Sequence, residues 1–133
     1  MAVINRPDLF GVFAAHVPLL NPARLSAGSY KQSSYLEFGD IDNPKESKYL
    51  LELDPYINLK PSTEYPATII VPSGKDDRLD LWESGKFVAK MQEYNTSDKP
   101  ILLDVNLSAG HTTSSTKQIS RIFGFALHQM NLE

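Results

Sequence analysis

Ala67-Thr68-Ile69-Ile70-Val71, then Pro72-Ser73-Gly74-Lys75-Asp76-Asp77-Arg78-Leu79-Asp80, then apolar residues at helical spacing from Leu81 to Tyr94, is the stretch that decides the fold. A β-branched run, a turn-rich loop and an amphipathic pattern make one strand, loop and helix unit. The order repeats at once. Ile101 to Leu107 reads as a strand, Ser108 to Thr113 as a loop, and the residues on to Met130 as a helix. Units of this kind in tandem specify a parallel sheet with helices on its faces. Reactive groups in such sheets collect just beyond the carboxyl ends of the strands. Asp76 and His111 both fall there.

Upstream of this core the pattern is less regular. Met1 to Arg6 reads as the end of a helix stopped by Pro7, because the residue before a proline is pushed out of helical geometry. Phe10 to Val17 is a continuous apolar run, as a strand buried on both faces would show, although a short core helix gives the same pattern. Asn21 to Asp42 reads as a surface excursion with one short helix at Pro22 to Leu25. Asn43-Pro44-Lys45-Glu46 is a helix start, with an Asn cap, Pro at the first position and a Glu able to reach back, and the helix should end near Leu53, before Pro55. Pro55, Pro61 and Pro66 forbid regular structure before the next strand. In the following helix Asp80 and Glu83 form a second capping pair, with Trp82 and Phe87 expected in the core. The last helix carries Ile119, Ile122, Phe123, Ala126, Leu127 and Met130 along one stripe, with Ser114, Ser115 or Thr116 as its cap.

The 133 residues are one domain's worth, with a net charge of -3 and a pI near 5.6. No basic run or stripe is present to neutralise a phosphate backbone, which argues against nucleic acid. The absence of cysteine excludes thiol nucleophiles, disulfides and thiolate metal sites. Leu9 to Leu20 is largely apolar, but Arg6 and Asp8 precede it, and His16 and Pro18 interrupt it. It is too short to span a membrane. The chain reads as a soluble, cytoplasmic protein.

Asp76 and His111 suggest the acid and imidazole of a nucleophilic triad, in which the carboxylate fixes the imidazole tautomer and the imidazole takes the nucleophile's proton. The order acid then His agrees with hydrolases of the α/β type. The alternative is that Asp76-Asp77-Arg78 is a solvated, self-paired charge cluster and His111 a loop histidine. His16 and His128 read as partly buried or surface histidines.

Arg6-Pro7-Asp8-Leu9-Phe10-Gly11, Glu37-Phe38-Gly39-Asp40, Asp54-Pro55-Tyr56-Ile57-Asn58 with Tyr65-Pro66-Ala67-Thr68, Asp76-Asp77-Arg78 and Ala109-Gly110-His111 occur in that order. Together they resemble the carboxyl-terminal part of the prolyl oligopeptidase family of serine peptidases. The resemblance implies an α/β fold, the C-terminal half of an α/β-hydrolase catalytic domain, with about three parallel strands and flanking helices. It makes Asp76 the triad acid and His111 the triad base. Arg78 matches the arginine that holds a substrate carbonyl, where a surface salt bridge is the alternative. Phe38 matches an aromatic lining the pocket for the residue before the cleaved bond, where core packing is the alternative. No metal or cofactor is implied.

Three departures accompany the match. No serine lies in a Gly-x-Ser-x-Gly frame, the strand-to-helix elbow that carries the nucleophile. The chain is therefore expected to begin just after that elbow and to be a partial catalytic domain over residues 1–133, inactive alone. Ser34 stands where family branches differ in specificity, and Thr112 replaces a glycine after the histidine. Two readings follow: a peptidase fragment completed by a serine-bearing chain and acting on a peptide substrate, or a non-catalytic binding or self-associating module. Either way the edge strand near Phe10 to Val17 should leave unpaired backbone, favouring a homo-oligomer through that edge.

Overall fold

The computed structural model describes residues 1–27, 36–112 and 115–131. Three parallel strands, β1 (Val12–His16), β2 (Ala67–Val71) and β3 (Ile101–Leu103), lie in the order β1-β2-β3. Val12 pairs with Ala67 and His16 with Val71, while Thr68 pairs with Ile101. Helices α1 (Ala2–Asn5), α2 (Pro44–Leu53), α3 (Leu81–Tyr94) and α4 (Thr116–Gln129) accompany them. This is the parallel sheet with flanking helices that the tandem units specify. Among the described residues no helix is long and apolar enough to cross a membrane.

β2 is central, and each of its residues is buried, as a run of Ala, Thr, Ile and Val in mid-sheet requires. One face of the sheet carries the core, where Ile70 and Ile101 meet Phe87, Val88 and Met91 of α3, with Ile4, Leu20, Leu59 and Tyr65 closing around them. The stripe of α3 that faces the core is therefore built on the Phe87 and Met91 side. Trp82, expected in the core, is instead 39% exposed. It lies a little over one turn before Phe87, on the flank of the helix, where the Lys86 ammonium stacks 4.6 Å from its ring.

β1 is a strand and not a helix, but it is only partly buried and Ala14 is exposed. The reason is position: β1 is outermost among the described strands, so one edge and part of one face lack cover. α4 packs against β1 and β2, whereas α3 packs against β2 and β3. The apolar stripe of α4 is largely open, with Phe123 64% exposed and Met130 52%.

Of the three helix starts expected from the sequence, two follow local chemistry. Asn43 Oδ1 accepts from the Lys45 N–H at 3.1 Å, and Pro44 opens α2. Glu46 reaches back, though to the Asn43 side-chain amide at 2.7 Å and the Asp40 N–H at 2.7 Å, because the Asn43 N–H already donates to Asp40 carbonyl. Ser115 caps α4 through the Gln118 N–H. On α3 the expected pair does not form: Asp80 makes no side-chain cap bond, and Glu83 turns inward and is 2% exposed. The short helix after β1 is a 3-10 helix, Pro22–Ala27. Ser34 and Ser114 lie outside the described residues.

Candidate active site

The site is built where β2 and β3 end. β3 stops at Leu103, short of the expected Leu107, but pairing continues into the loops: the Asp104 N–H donates to Ile70 carbonyl at 2.9 Å, and Ser73 bridges Asn106. Beyond it the Gly74 N–H donates to Asn106 carbonyl at 2.8 Å and the Lys75 N–H to Ala109 carbonyl at 2.9 Å. These rungs zip the loop carrying Asp76 to the loop carrying His111. Only a glycine permits the approach, since a Cβ at position 74 would meet the Leu107 Cα at 2.7 Å.

The zipped loops bring the two titratable groups together. His111 Nδ1 lies 2.9 Å from Asp76 Oδ2 and 3.1 Å from Oδ1. The Asp76 side chain is 2% exposed, so the solvated-cluster alternative does not hold for it. Asp76 Oδ1 also accepts from the Arg78 N–H at 2.9 Å and the Leu79 N–H at 3.0 Å. Burial acts to raise the Asp76 pKa, but the Leu79 and Arg78 amides and His111 together outweigh it and hold the group below the ordinary carboxylate value. The result is a buried, ionised carboxylate that fixes the ring and leaves Nε2 as the nitrogen free to exchange a proton.

His111 borders an open cleft of about 270 Å³, together with Val17, Leu19, Glu37, Phe38, Arg78 and Leu79. Both Arg78 and Phe38 thus share one cavity with the imidazole. Phe38 is 37% exposed and lines the cleft. Val17, Leu19 and Leu79 were not singled out in the sequence; their membership comes from the turn after β1 and the path of the acid loop, which periodicity does not encode, while Glu37 adjoins Phe38 in its motif. His16 sits partly buried at the end of β1 and His128 is exposed on α4.

Glu83 is the unexpected group nearby. Burial first, then the neighbouring Asp80, push its carboxyl up to about 7, against a smaller opposing effect of Lys86. Its Oε2 is buried without a hydrogen-bond partner.

A carboxylate and an imidazole thus meet at the ends of successive parallel strands, with a cleft beside them, in a fold of the α/β-hydrolase type. The chain belongs to the prolyl oligopeptidase family, whose model matches residues 1–133. It is 31% identical to the prolyl endopeptidase of Elizabethkingia miricola over 134 aligned residues, covering 96% of this chain and 19% of that protein. It superposes on a solved prolyl endopeptidase with a TM-score of 0.88 at 27% identity, covering 99% of this chain and 20% of the other. Oligopeptidase B from Leishmania major gives a TM-score of 0.87 at 28% identity, over 98% and 19% of the two chains. The chain thus spans about a fifth of the length of the relatives it matches.

Proposed function

We propose that this chain supplies the acid and base of a serine-type peptidase site, Asp76 and His111, as a partial catalytic domain whose nucleophile comes from a serine-bearing polypeptide. The observation that carries this is the 2.9 Å contact between a buried Asp76 carboxylate and His111 Nδ1 at the rim of a cleft. With Nδ1 committed to Asp76, Nε2 is left to work on the nucleophile. As the serine oxygen bonds to the substrate carbonyl carbon, its proton passes to Nε2, and the imidazolium that forms is stabilised by Asp76. When the C–N bond breaks, that proton goes to the departing amine, and water then repeats the cycle on the acyl group. Arg78 positions the peptide carbonyl and Phe38 packs on the residue before the cleaved bond.

Alone the chain is expected to be inactive, since loss of the nucleophile of a triad lowers turnover on the order of a millionfold. A fluorophosphonate probe should leave it unlabelled, and a serine-bearing chain mixed with it should restore labelling and hydrolysis. Stoichiometric labelling of the chain by itself contradicts the reading.

A second reading, a self-associating module, is favoured by the open edge of β1 and the exposed stripe on α4, with Phe123 64% exposed. Unpaired strand edges and apolar surface of this kind promote association between copies. Light scattering at increasing concentration should then report a homo-oligomer, and a monomer throughout removes the reading.

A further inference from the structure

Asn106 and Gln118 stand at the two ends of the segment that carries His111, and their side chains meet. Gln118 Oε1 accepts from the Asn106 side-chain amide at 3.1 Å. At the near end Asn106 gathers the turn that leads to the imidazole. Its Oδ1 accepts from the Ser108 N–H at 3.1 Å and the Ser108 hydroxyl at 2.9 Å. Its carbonyl accepts from the Gly74 N–H at 2.8 Å and, over a longer reach, the Ala109 N–H at 3.4 Å. At the far end Gln118 lies in the first turn of α4, three residues after the cap Ser115, whose hydroxyl and carbonyl both accept its N–H. A Gln at this place in a capping box reaches back to the N–H of the cap. Here its oxygen is turned to Asn106.

The match between the two amides is set by chemistry. The Ser108 N–H can only donate, so it draws Oδ1 of Asn106 to its side and leaves Nδ2 facing α4. Gln118 must then present its oxygen. Its own Nε2 is left buried and, among the described residues, without a partner. A buried donor in that state costs stability, so Gln118, 1% exposed, is a poor choice if its only task is to hold the fold. α4 also has other attachments: it packs on β1 and β2, and Arg121 Nη2 lies 2.9 Å from Asp104 Oδ2. What the amide pair adds is orientation. Asn106 is only partly buried, so without Gln118 its amide is free to turn over toward water and withdraw its acceptor from Ser108.

We propose that Gln118 is a positioning residue for the base: by accepting from Asn106 it fixes that amide, closes the segment that carries His111 and holds the imidazole against Asp76. The inference rests on the peptidase reading, which makes His111 the base, and gives the first turn of α4 a part in the site. Functional groups keep their geometry only where a supporting layer locks them in place.

The test follows the Nδ1–H proton of His111 in the full isotope-labelled chain. Gln118→Met keeps the length of the side chain and removes the acceptor. It is expected to melt no more than about 2 °C below the unaltered chain. Its Nδ1–H proton should nevertheless exchange with water at least about tenfold faster, with protection of the Ser108 N–H lost as well. Gln118→Glu keeps an oxygen toward Asn106. Asn106→Asp keeps the acceptor for Ser108 and lets Gln118 turn to donate its Nε2. Each preserves a donor against an acceptor, so exchange in both should stay within about twofold of the unaltered chain. Either one serves if the other does not fold. A packing role would not separate Met from Glu in this way, since the two side chains have nearly the same length. The proposal is overturned if Gln118→Met fails to fold or melts lower than expected, if exchange in it is unchanged, or if neither Gln118→Glu nor Asn106→Asp retains slow exchange. The peptidase reading fails on a different result, absence of the Nδ1–H signal in the unaltered chain.

Discussion

Gly74 packs against Leu107 so closely that a single added methyl would sit 2.7 Å from the Leu107 Cα and 3.0 Å from its carbonyl oxygen. That contact is backbone on both sides and has little freedom to yield. Gly74→Ala is therefore expected to pry the acid loop from the base loop, costing about 1–3 kcal/mol of stability. Denaturant unfolding checks the cost. The Nδ1–H signal of His111 should weaken in parallel.

Stability should depend on pH through two carboxyls of opposite sign. Glu83 has a folded pKa of about 7 against an ordinary 4.5. A raised acid binds its proton more tightly when folded, so stability falls as pH rises from about 4.5 through about 7 and is level above. Glu83→Gln should abolish this slope and stabilise the chain at pH 8 on the order of 2–3 kcal/mol. Asp76 runs the other way: its pKa is lowered on folding, so its contribution is present above the ordinary 3.8 and lost as pH falls through the folded value. Asp76→Asn should flatten the acid limb of the stability curve, and Glu83→Gln the limb between weakly acid and neutral pH.

Surface and core aromatics should separate cleanly. Phe87 is 0% exposed and Phe123 is 64% exposed. Phe87→Ala is expected to cost about 3–5 kcal/mol by leaving a cavity, while Phe123→Ser stays within about 0.5 kcal/mol. Thermal melts of the two variants check this. If the stripe on α4 drives association, Phe123→Ser should also shift the assembly toward monomer in light scattering.

Much of this was legible in the sequence because its signals were local. Leu81–Tyr94 as a helix and Ala67–Val71 as a strand follow from period and from β-branched residues, and the parallel sheet follows from their alternation. Asp76 and His111 were legible because strand ends are where a parallel sheet exposes its loops. Where reading failed, a neighbour distant in sequence decided. Trp82 has helical spacing suited to the core, yet the core formed around Phe87 and Met91 because those residues face Ile70 and Ile101. Glu83 matches a capping residue by position, but its side chain turns into the interior. Val17, with its φ of 43°, gave no warning, since its N–H is held by Val71, which lies far along the chain.

The central claim is that Asp76 holds His111 in one tautomer with Nε2 left for a hydroxyl. The most direct measurement is nitrogen-15 and proton NMR of the His111 ring near neutral pH, in the unaltered chain and in Asp76→Ala. The account expects the neutral ring to carry its proton on Nδ1, with a strongly downfield N–H resonance that vanishes in the variant. A ring protonated on Nε2 alone, or a spectrum indifferent to the loss of Asp76, contradicts it.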